Sequence, residues 1–385
     1  MAMPFYHRLG TIPRKRHVVF KGEGGAFHYE HLMGNKGFTG PASLMYHLRR
    51  PTCLREVRLR GPLVWEADPD LRLRPRHLRL HRLPAGGSPT LDRRPILFNR
   101  EVAVSFAQPD RPDEHFYRNA QGDELIFIAE GGGRLESTLG SLALRAGDYV
   151  VIPRGIIHRF ALEGPARLLI IESAGAVETP HRYRNEFGQL LEHSPFCERD
   201  VRGPERLDTV DEPGEFVVLT KQYNALHEVV MAHHPFDVVG WDGYYFPWAF
   251  NIGDFEPIVG SLHQPPPVHQ TFQGDGFVIC SFVSRLYDFH PAAIPAPYNH
   301  SNAMSDEVLY YAKSEFMSRK GIEYGSLTLH PDGIPHGPHP GTMEKSIGAQ
   351  RTKELAVMLD TFRPLRVAKP ALAVEDADYL TSWLE

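Results

Sequence analysis

The chain has 385 residues, a formal net charge of −5 and a hydrophobic content of 42%, which is typical of a globular protein with a core of its own. The weak net charge gives no general attraction to nucleic acid or to an anionic membrane, residues 1–10 lack the apolar region of a signal peptide, and no run approaches the roughly 18 apolar residues of a membrane span. Three widely spaced cysteines, Cys53, Cys197 and Cys280, predict no disulfide framework, so we expect a cytoplasmic protein.

The first hundred residues predict an arm and leading strands. Residues 1–50 are interrupted by glycines, which favours an irregular arm. Residues 49–100 hold thirteen arginines against five acidic residues. Within them, LRLRPRHLRL (71–80) alternates leucine with basic residues, the period of a half-buried strand. The alternative, an anion-binding surface, is disfavoured because no aromatic side chains that could stack on bases are interleaved.

Short strand patterns dominate from residue 101 onward. ELIFIAEGGG, GSLALRAGDYVVIP and RLLIIES are apolar runs separated by glycine turns, as in a small antiparallel barrel. The pattern G-x5-P-x-G-x2-H occurs twice, ending at His158 and at His336, and N-A-x2-D-E precedes each copy, starting at Asn119 and Asn302. Matching identities at fixed spacing predict two copies of one barrel unit.

The second copy contains a set of metal ligands. His300, Glu307 and His336 come from predicted strands or their ends, and two imidazoles with one carboxylate can occupy one face of an octahedral metal ion. Such a facial set leaves adjacent positions open, as in non-haem Fe(II) oxygenases. We therefore expect the metal centre in this copy.

The first copy lacks one of these ligands. Tyr117 stands where the second copy has His300, while Glu124 and His158 remain. His115 is two residues away, which on a strand shifts a side chain by about 6–7 Å. We expect a structural first barrel, with a site formed by His115, Glu124 and His158 as the alternative.

Two histidines in a proline-rich segment precede the metal ligands. HQPPPVHQTF (263–272) holds His263 and His269, and the consecutive prolines stiffen the segment without making it helical. A stiff loop at the mouth of a barrel suits a catalytic base, because imidazole titrates near neutral pH. At the other end, VEDADYLTSWL (374–384) predicts a short terminal helix.

The repeated element resembles the cupin superfamily, and its duplication resembles a bicupin. LHQPPPVHQTF (262–272), PAPYNHSNAMSDEVLYY (295–311), GSLTLHPDGIPHGP (325–338) and ELAVMLDTF (354–362) resemble the homogentisate 1,2-dioxygenase family. The resemblance implies an all-β protein of two cupin-type barrels, of the double-stranded β-helix or jelly-roll kind, with few short helices. We expect an N-terminal arm with leading strands (1–100), a structural barrel (101–215) and a metal-binding catalytic barrel (216–385).

The resemblance also assigns the iron ligands. The two histidines and the glutamate that hold Fe(II) in the family fall on His300, His336 and Glu307. Better-known members carry the glutamate six residues after the first histidine, where this chain has Asp306, so Asp306 is the alternative. Glu307 keeps the spacing to the following strand.

Further roles follow from the resemblance. The catalytic base falls on His263, with His269 as its nearest rival. Substrate contacts fall on His330, His336 and Phe316, where better-known members have tyrosine in place of Phe316. One phenolic hydroxyl is therefore missing.

The implied activity is Fe(II)-dependent ring cleavage of homogentisate with O2 to 4-maleylacetoacetate, a step of tyrosine and phenylalanine catabolism. The alternatives are the same chemistry on another hydroquinone or aromatic acid such as gentisate, and a non-catalytic bicupin that only binds ligands. The family analogy implies a trimer or hexamer, and the partners expected are a small aromatic substrate and O2.

Overall fold

Runs of β-branched and aromatic residues between glycines and prolines form short strands in this chain, as their pattern predicts. The computed structural model describes residues 5–37, 39–313 and 319–384. In chain order the strands are β1 His7–Gly10, β2 Tyr29–Gly34, β3 Ala42–His47, β4 Leu54–Pro62, β5 Arg76–Arg79, β6 Arg94–Phe98, β7 Val102–Ala107, β8 Phe116–Asn119, β9 Asp123–Glu130, β10 Gly133–Ser137, β11 Gly140–Leu144, β12 Asp148–Ile152, β13 His158–Leu162, β14 Arg167–Ser173, β15 Val201–Arg202, β16 Pro213–Gln222, β17 Ala225–His233, β18 Val238–Gly243, β19 Trp248–Asn251, β20 Gln270–Gly274, β21 Phe277–Phe282, β22 Arg285–Leu286, β23 Asp306–Tyr311, β24 Ser326–His330, β25 Arg351–Thr352, β26 Ala356–Thr361 and β27 Arg366–Val367.

Helical structure is sparse. Within the described ranges the one α-helix is α1, Thr342–Ser346. The 3-10 turns are Glu23–Gly25, Leu80–Arg82, His181–Tyr183, Glu198–Asp200, Ile252–Asp254, Pro266–His269, Lys369–Val374 and Tyr379–Thr381. The predicted fold class, dominated by β-structure with few short helices, is confirmed. No helix in the described part of the chain is long and apolar enough to cross a membrane.

The strands form four larger sheets and one two-stranded sheet. Their strand orders are β1-β18-β3-β2, β11-β10-β13-β8-β16-β17-β4, β15-β19-β12-β9-β14-β7-β6-β27, β20-β21-β26-β23-β24-β5 and β22-β25. Most neighbours are antiparallel, while β16 and β8 pair in parallel. Strands distant in sequence therefore lie side by side in every larger sheet.

Segments of the predicted arm are built into later sheets. β1, β2 and β3 form a sheet with β18, and β5 pairs with β24, Leu78 opposite Leu327. β16 crosses the expected boundary between residues 215 and 216. The division into an arm and two barrels stays a prediction.

The strand predicted at 71–80 is wrong over its first half. Residues 71–75 form no strand, and Leu71 and Leu73 are exposed. Pro75 has no N–H to donate to a ladder, so pairing begins at Arg76. Arg76 is buried and lies 2.8 Å from Asp68, so this arginine is neutralised inside the protein. The terminal helix predicted at 374–384 is found only as the 3-10 turn Tyr379–Thr381.

The two copies of the sequence repeat form equivalent antiparallel backbone pairs. Across β8 and β13, Tyr117 pairs with His158, and an isolated bridge pairs His300 with His336. The same backbone geometry therefore brings together the aligned positions of both copies, as the predicted duplication requires.

The residue that pairs with the glutamate differs between the two copies. Glu124 pairs with Ile152 across β9 and β12, whereas Glu307 pairs with His330 across β23 and β24. Ile152 and His330 occupy aligned positions of the repeat. Only the second copy therefore places an imidazole opposite its glutamate.

A continuous aromatic core joins the sheets of the two copies. Tyr310 of β23 is fully buried, with its ring centroid 6.0 Å from that of Phe106 and 6.2 Å from that of Phe127. All three belong to one cluster of buried apolar side chains. We therefore expect the described sheets to unfold together.

Replacing Tyr310 tests this shared core. Tyr310→Ala is expected to lower the free energy of unfolding by about 3–5 kcal/mol, because it leaves a large cavity. Tyr310→Phe keeps the ring and removes a buried hydroxyl that has no hydrogen-bond partner, so stability should be equal or higher. Urea denaturation measures both, and a Tyr310→Phe variant as unstable as Tyr310→Ala would contradict this account of the core.

Candidate metal centre

The three predicted metal ligands converge in the structure. His300 and His336 are held opposite each other by two backbone hydrogen bonds of 2.9 Å, and Glu307 is the second residue of β23. One ligand atom from each of His300, Glu307 and His336 lies within 4.8 Å of the other two. Among the described residues this is the only group of three or more such side chains that could hold a metal ion.

Glu307 is a buried carboxylate surrounded by imidazoles. Its Oε2 lies 3.3 Å from His300 Nε2, and its Oε1 lies 2.9 Å from His330 Nδ1. Burial raises the pKa of Glu307, but the hydrogen bonds to His300 and His330 outweigh it and hold that pKa well below its ordinary value. The carboxylate is therefore ionised at neutral pH and carries the charge that a divalent cation needs.

The ring nitrogens of His336 indicate a missing partner. The side chain is 4% exposed, and its Nε2 lies 3.4 Å from Glu307 Oε1 without a hydrogen bond. A buried imidazole nitrogen usually has a partner, and a ring nitrogen that faces a carboxylate without a hydrogen bond is placed to bind a metal ion. The donor set of two imidazoles and one carboxylate thus fits a ferrous ion.

Asp306 serves a different purpose from its neighbour Glu307. Its carboxylate accepts the backbone N–H groups of Asp332 at 2.9 Å and Leu365 at 2.7 Å. In the first copy, the aligned Asp123 accepts the backbone N–H of Arg154 in the same way. Asp306 therefore holds loops together, and Glu307 is the carboxylate that faces the histidines.

A cavity of about 360 Å³ opens beside this centre. His300, Glu307 and His263 contribute to its wall. The His263 ring is half-exposed, its Nδ1 lies 3.4 Å from Asp288 Oδ2, and its ring packs edge-on against Tyr298. His263 can therefore meet a ligand in the cavity while Asp288 orients its imidazole.

His269 lines the same cavity in a different environment. It is 8% exposed, its Nδ1 has no hydrogen-bond partner, and its ring packs on Phe282. Burial lowers the pKa of His269 to about 3, with Arg285 adding to the effect. An imidazole in this state takes up a proton poorly at neutral pH.

The predicted substrate contacts lie in different places. His330 is 1% exposed and lies against Glu307, outside the lining of the 360 Å³ cavity. His336 and His330 line a second recess, of about 440 Å³, with Trp383. Phe316 lies outside the described residues.

Several residues near the centre have no recognisable signal in the sequence. Arg285 lines the cavity and is neutralised by Glu354, whose Oε1 lies 2.6 Å from Arg285 Nη1. Asp360 pairs in register with Glu307, and burial raises its pKa to about 7. ELAVMLDTF contains both Glu354 and Asp360, but a single sequence does not show which residues of a strand face a cavity.

The first copy holds its glutamate with an arginine. Arg93 Nη1 and Nη2 lie 2.8 and 2.9 Å from the two carboxylate oxygens of Glu124, and Asn119 Nδ2 donates to Oε1. Arg93 therefore supplies the positive charge beside this buried carboxylate. His158 Nε2 lies buried without a hydrogen-bond partner.

His115 belongs to a separate group of hydrogen bonds. Its Nε2 lies 2.7 Å from Thr90 Oγ1 and 3.7 Å from Asp113 Oδ1. The alternative metal site of His115, Glu124 and His158 is not formed among the described residues, since the only such group is in the second copy. The physical reason is Arg93, whose guanidinium already engages both oxygens of Glu124.

Comparison with known proteins identifies the family. The family model described as homogentisate 1,2-dioxygenase N-terminal matches residues 100–252. The "Putative dioxygenase SSO1533" of Saccharolobus solfataricus is 40% identical over 389 aligned residues, which cover 99% of each chain. The chain belongs to the homogentisate 1,2-dioxygenase family.

Named members of the homogentisate 1,2-dioxygenase family align more distantly. The homogentisate 1,2-dioxygenases of Nitrobacter hamburgensis and Bradyrhizobium diazoefficiens are 31% and 29% identical, each over 70% of this chain. The chain spans 63% of the length of these two relatives. The predicted family and the predicted enzyme class, a dioxygenase, are confirmed.

A solved cupin 2 conserved barrel domain protein from Leptotrichia buccalis also aligns with this chain. The alignment covers 74% of this chain and 96% of the Leptotrichia protein, with a TM-score of 0.35 and 10% sequence identity. This agreement is too loose to support any detail of the site.

The ion pair of the first copy can be tested by mutation. Arg93→Met is expected to lower the free energy of unfolding by about 3–5 kcal/mol, because it leaves the charge of Glu124 buried and unpaired. Adding Glu124→Gln should recover part of the loss. Arg94→Met, at the exposed neighbouring residue, is the matched control and should change stability by less than about 0.5 kcal/mol. Equal urea midpoints for the Arg93 and Arg94 variants would show that the buried pair contributes nothing.

Proposed function

We propose that this protein is an Fe(II)-dependent ring-cleaving dioxygenase that converts homogentisate and O2 to 4-maleylacetoacetate. The observation that carries the proposal is the cluster of His300, Glu307 and His336, in which His300 and Glu307 line a cavity large enough for one aromatic ring. The family membership supports the reaction class. In this proposal residues 216–385 bind the metal, and residues 101–215 form the structural barrel.

The metal ligands in this proposal are His300, Glu307 and His336. Two neutral imidazoles and one carboxylate leave a ferrous ion with one net positive charge, which suits an anionic ligand. A ferrous ion supplies a Lewis acid that lowers the pKa of a phenol and a path for electron density from an aromatic ring to dioxygen. The backbone bridge between His300 and His336 keeps the two imidazoles together.

We assign the proton transfer to His263. Its half-exposed ring reaches the cavity, so a substrate hydroxyl can approach it, and Asp288 stabilises the imidazolium that forms. His269 remains the rival, although its buried, apolar environment disfavours the protonated form. The prediction that His330, His336 and Phe316 contact the substrate belongs to the same proposal, with His330 also holding Glu307.

The second candidate is the same chemistry on another aromatic acid, for example gentisate. Two observations favour keeping it: Phe316 supplies no hydroxyl, and the chain spans 63% of the length of the two named homogentisate 1,2-dioxygenases. A non-catalytic bicupin is disfavoured, because the ligand cluster opens on a cavity that also contains His263. A cytoplasmic location and a trimeric or hexameric assembly are part of the proposal.

Oxygen uptake tests the proposed reaction. Protein loaded with Fe(II) under anaerobic conditions is mixed with air-saturated buffer and either homogentisate or gentisate. The proposal expects consumption of one O2 per homogentisate and a slower reaction with gentisate. Faster turnover of gentisate would establish the second candidate, and inert, iron-loaded protein with both acids would favour a binding protein.

Variants of aligned positions test which copy holds the metal. His300→Ala removes one of three ligands, so iron retention should be lost and oxygen uptake should fall by at least about 100-fold. Tyr117→Phe, at the aligned position of the first copy, should keep iron and nearly full activity. His193→Ala, at an exposed histidine, is the control. Iron content after gel filtration measures retention, and an inactive Tyr117→Phe protein of normal fold would reverse the assignment of the two copies.

A further inference from the structure

The C-terminal segment 375–384 is fastened to the strand beside the metal centre. Glu375 forms ion pairs with Arg74 at 3.1 Å and Arg76 at 3.2 Å, and Asp376 lies 2.7 Å from Arg79. Arg76 and Arg79 are the ends of β5, which pairs with β24. These contacts set the position of the residues that follow in the chain.

Tyr379 reaches the centre from this segment. It is 3% exposed, and its hydroxyl lies 3.2 Å from His330 Nε2. On the other side of the same ring, His330 Nδ1 lies 2.9 Å from Glu307 Oε1. A continuous line of hydrogen bonds therefore runs from the C-terminal segment to the carboxylate of the metal cluster.

The direction of these hydrogen bonds follows from the groups involved. An ionised carboxylate only accepts, so His330 Nδ1 carries the proton and donates to Glu307. In a neutral imidazole the other nitrogen then accepts, so the Tyr379 hydroxyl donates to His330 Nε2. In the opposite tautomer, the lone pair of Nδ1 would face the lone pairs of Glu307.

The first copy lacks this arrangement. Ile152 stands where the second copy has His330, and Glu124 is held by Arg93 and Asn119. Within the described residues, the hydrogen-bond relay from Tyr379 through His330 to the glutamate therefore occurs in the copy that has the complete ligand cluster.

We propose that Tyr379 is a positioning residue of the metal centre. Its hydroxyl donates to His330 Nε2 and so holds the imidazole in the orientation in which Nδ1 donates to Glu307 Oε1, which fixes the carboxylate and leaves Oε2 directed toward His300. This inference rests on the proposed metal site. It assigns a role to the C-terminal segment, which carries none of the three proposed metal ligands. Hydrogen-bonded partners of metal ligands commonly contribute about 10–100-fold to metal affinity.

Cobalt titration of Tyr379→Phe tests the proposal. Co²⁺ is the probe, because its absorption reports binding without oxygen chemistry, and the Tm of metal-free protein reports the fold. The variant keeps the buried ring and loses only the hydroxyl. We expect the Kd for Co²⁺ to rise by about 10-fold or more.

Tyr245→Phe is the matched control. Tyr245 is also buried, and its hydroxyl donates to the Arg154 carbonyl at 2.8 Å, in the first copy. It should lower the Tm about as much as Tyr379→Phe while leaving the Kd for Co²⁺ unchanged. A Kd that is the same in both variants and the wild type overturns the positioning role, and so does an equal rise in both.

A double-mutant cycle tests whether Tyr379 acts through His330. In a His330→Ile background, which copies the residue of the first copy, Tyr379→Phe should cause no further change in Kd. Additive losses would contradict the relay. If the wild-type protein binds no Co²⁺, the proposed metal site itself is refuted. If the wild type and Tyr379→Phe bind Co²⁺ equally well, only the positioning role is refuted.

Discussion

A carboxylate buried among imidazoles is the interaction on which the second half of this protein depends. Glu307 is ionised although it is almost fully removed from water, and His300 and His330 compensate for that burial. His336 completes the group with ring nitrogens that have no hydrogen-bond partner. Hydrogen bonds to the imidazoles stabilise the charge of Glu307, whereas the buried ring nitrogens of His336 are left without a partner, which is unfavourable. The surrounding sheets therefore hold a set of side chains that could bind a divalent ion, and such an ion would give the His336 ring a partner.

The two copies of the repeat meet the same electrostatic constraint in different ways. In both, a buried glutamate lies on a central strand of a sheet and must be neutralised. The first copy uses the guanidinium of Arg93, which matches both oxygens of Glu124 and neutralises this carboxylate. The second copy uses imidazoles and opens on a cavity beside Glu307. The guanidinium of Arg93 is a permanent positive charge, which suits a structural role. A metal ion bound at Glu307 could be exchanged, which suits the proposed catalytic role.

Distant parts of the chain complete the centre. β5 extends the sheet that carries Glu307, and the segment after Glu375 brings Tyr379 against His330. Ion pairs between acidic residues of that segment and arginines near β5 hold the two together. Arginines that suggest a basic surface in the sequence are thus used to fasten chain segments to each other. The centre therefore depends on segments that lie outside the repeated motif.

The β-rich fold class, the family and the grouping of His300, Glu307 and His336 could be predicted from the amino-acid sequence, because strand periodicity and the repeated motif are local patterns with fixed spacing. Contacts between residues far apart in the chain are visible only in the folded structure. It alone brought Arg93 to Glu124 and Tyr379 to His330, and it alone showed that Asp306 binds backbone N–H groups. Such pairings join strands of different segments, and no spacing along a single chain specifies which buried charges will meet.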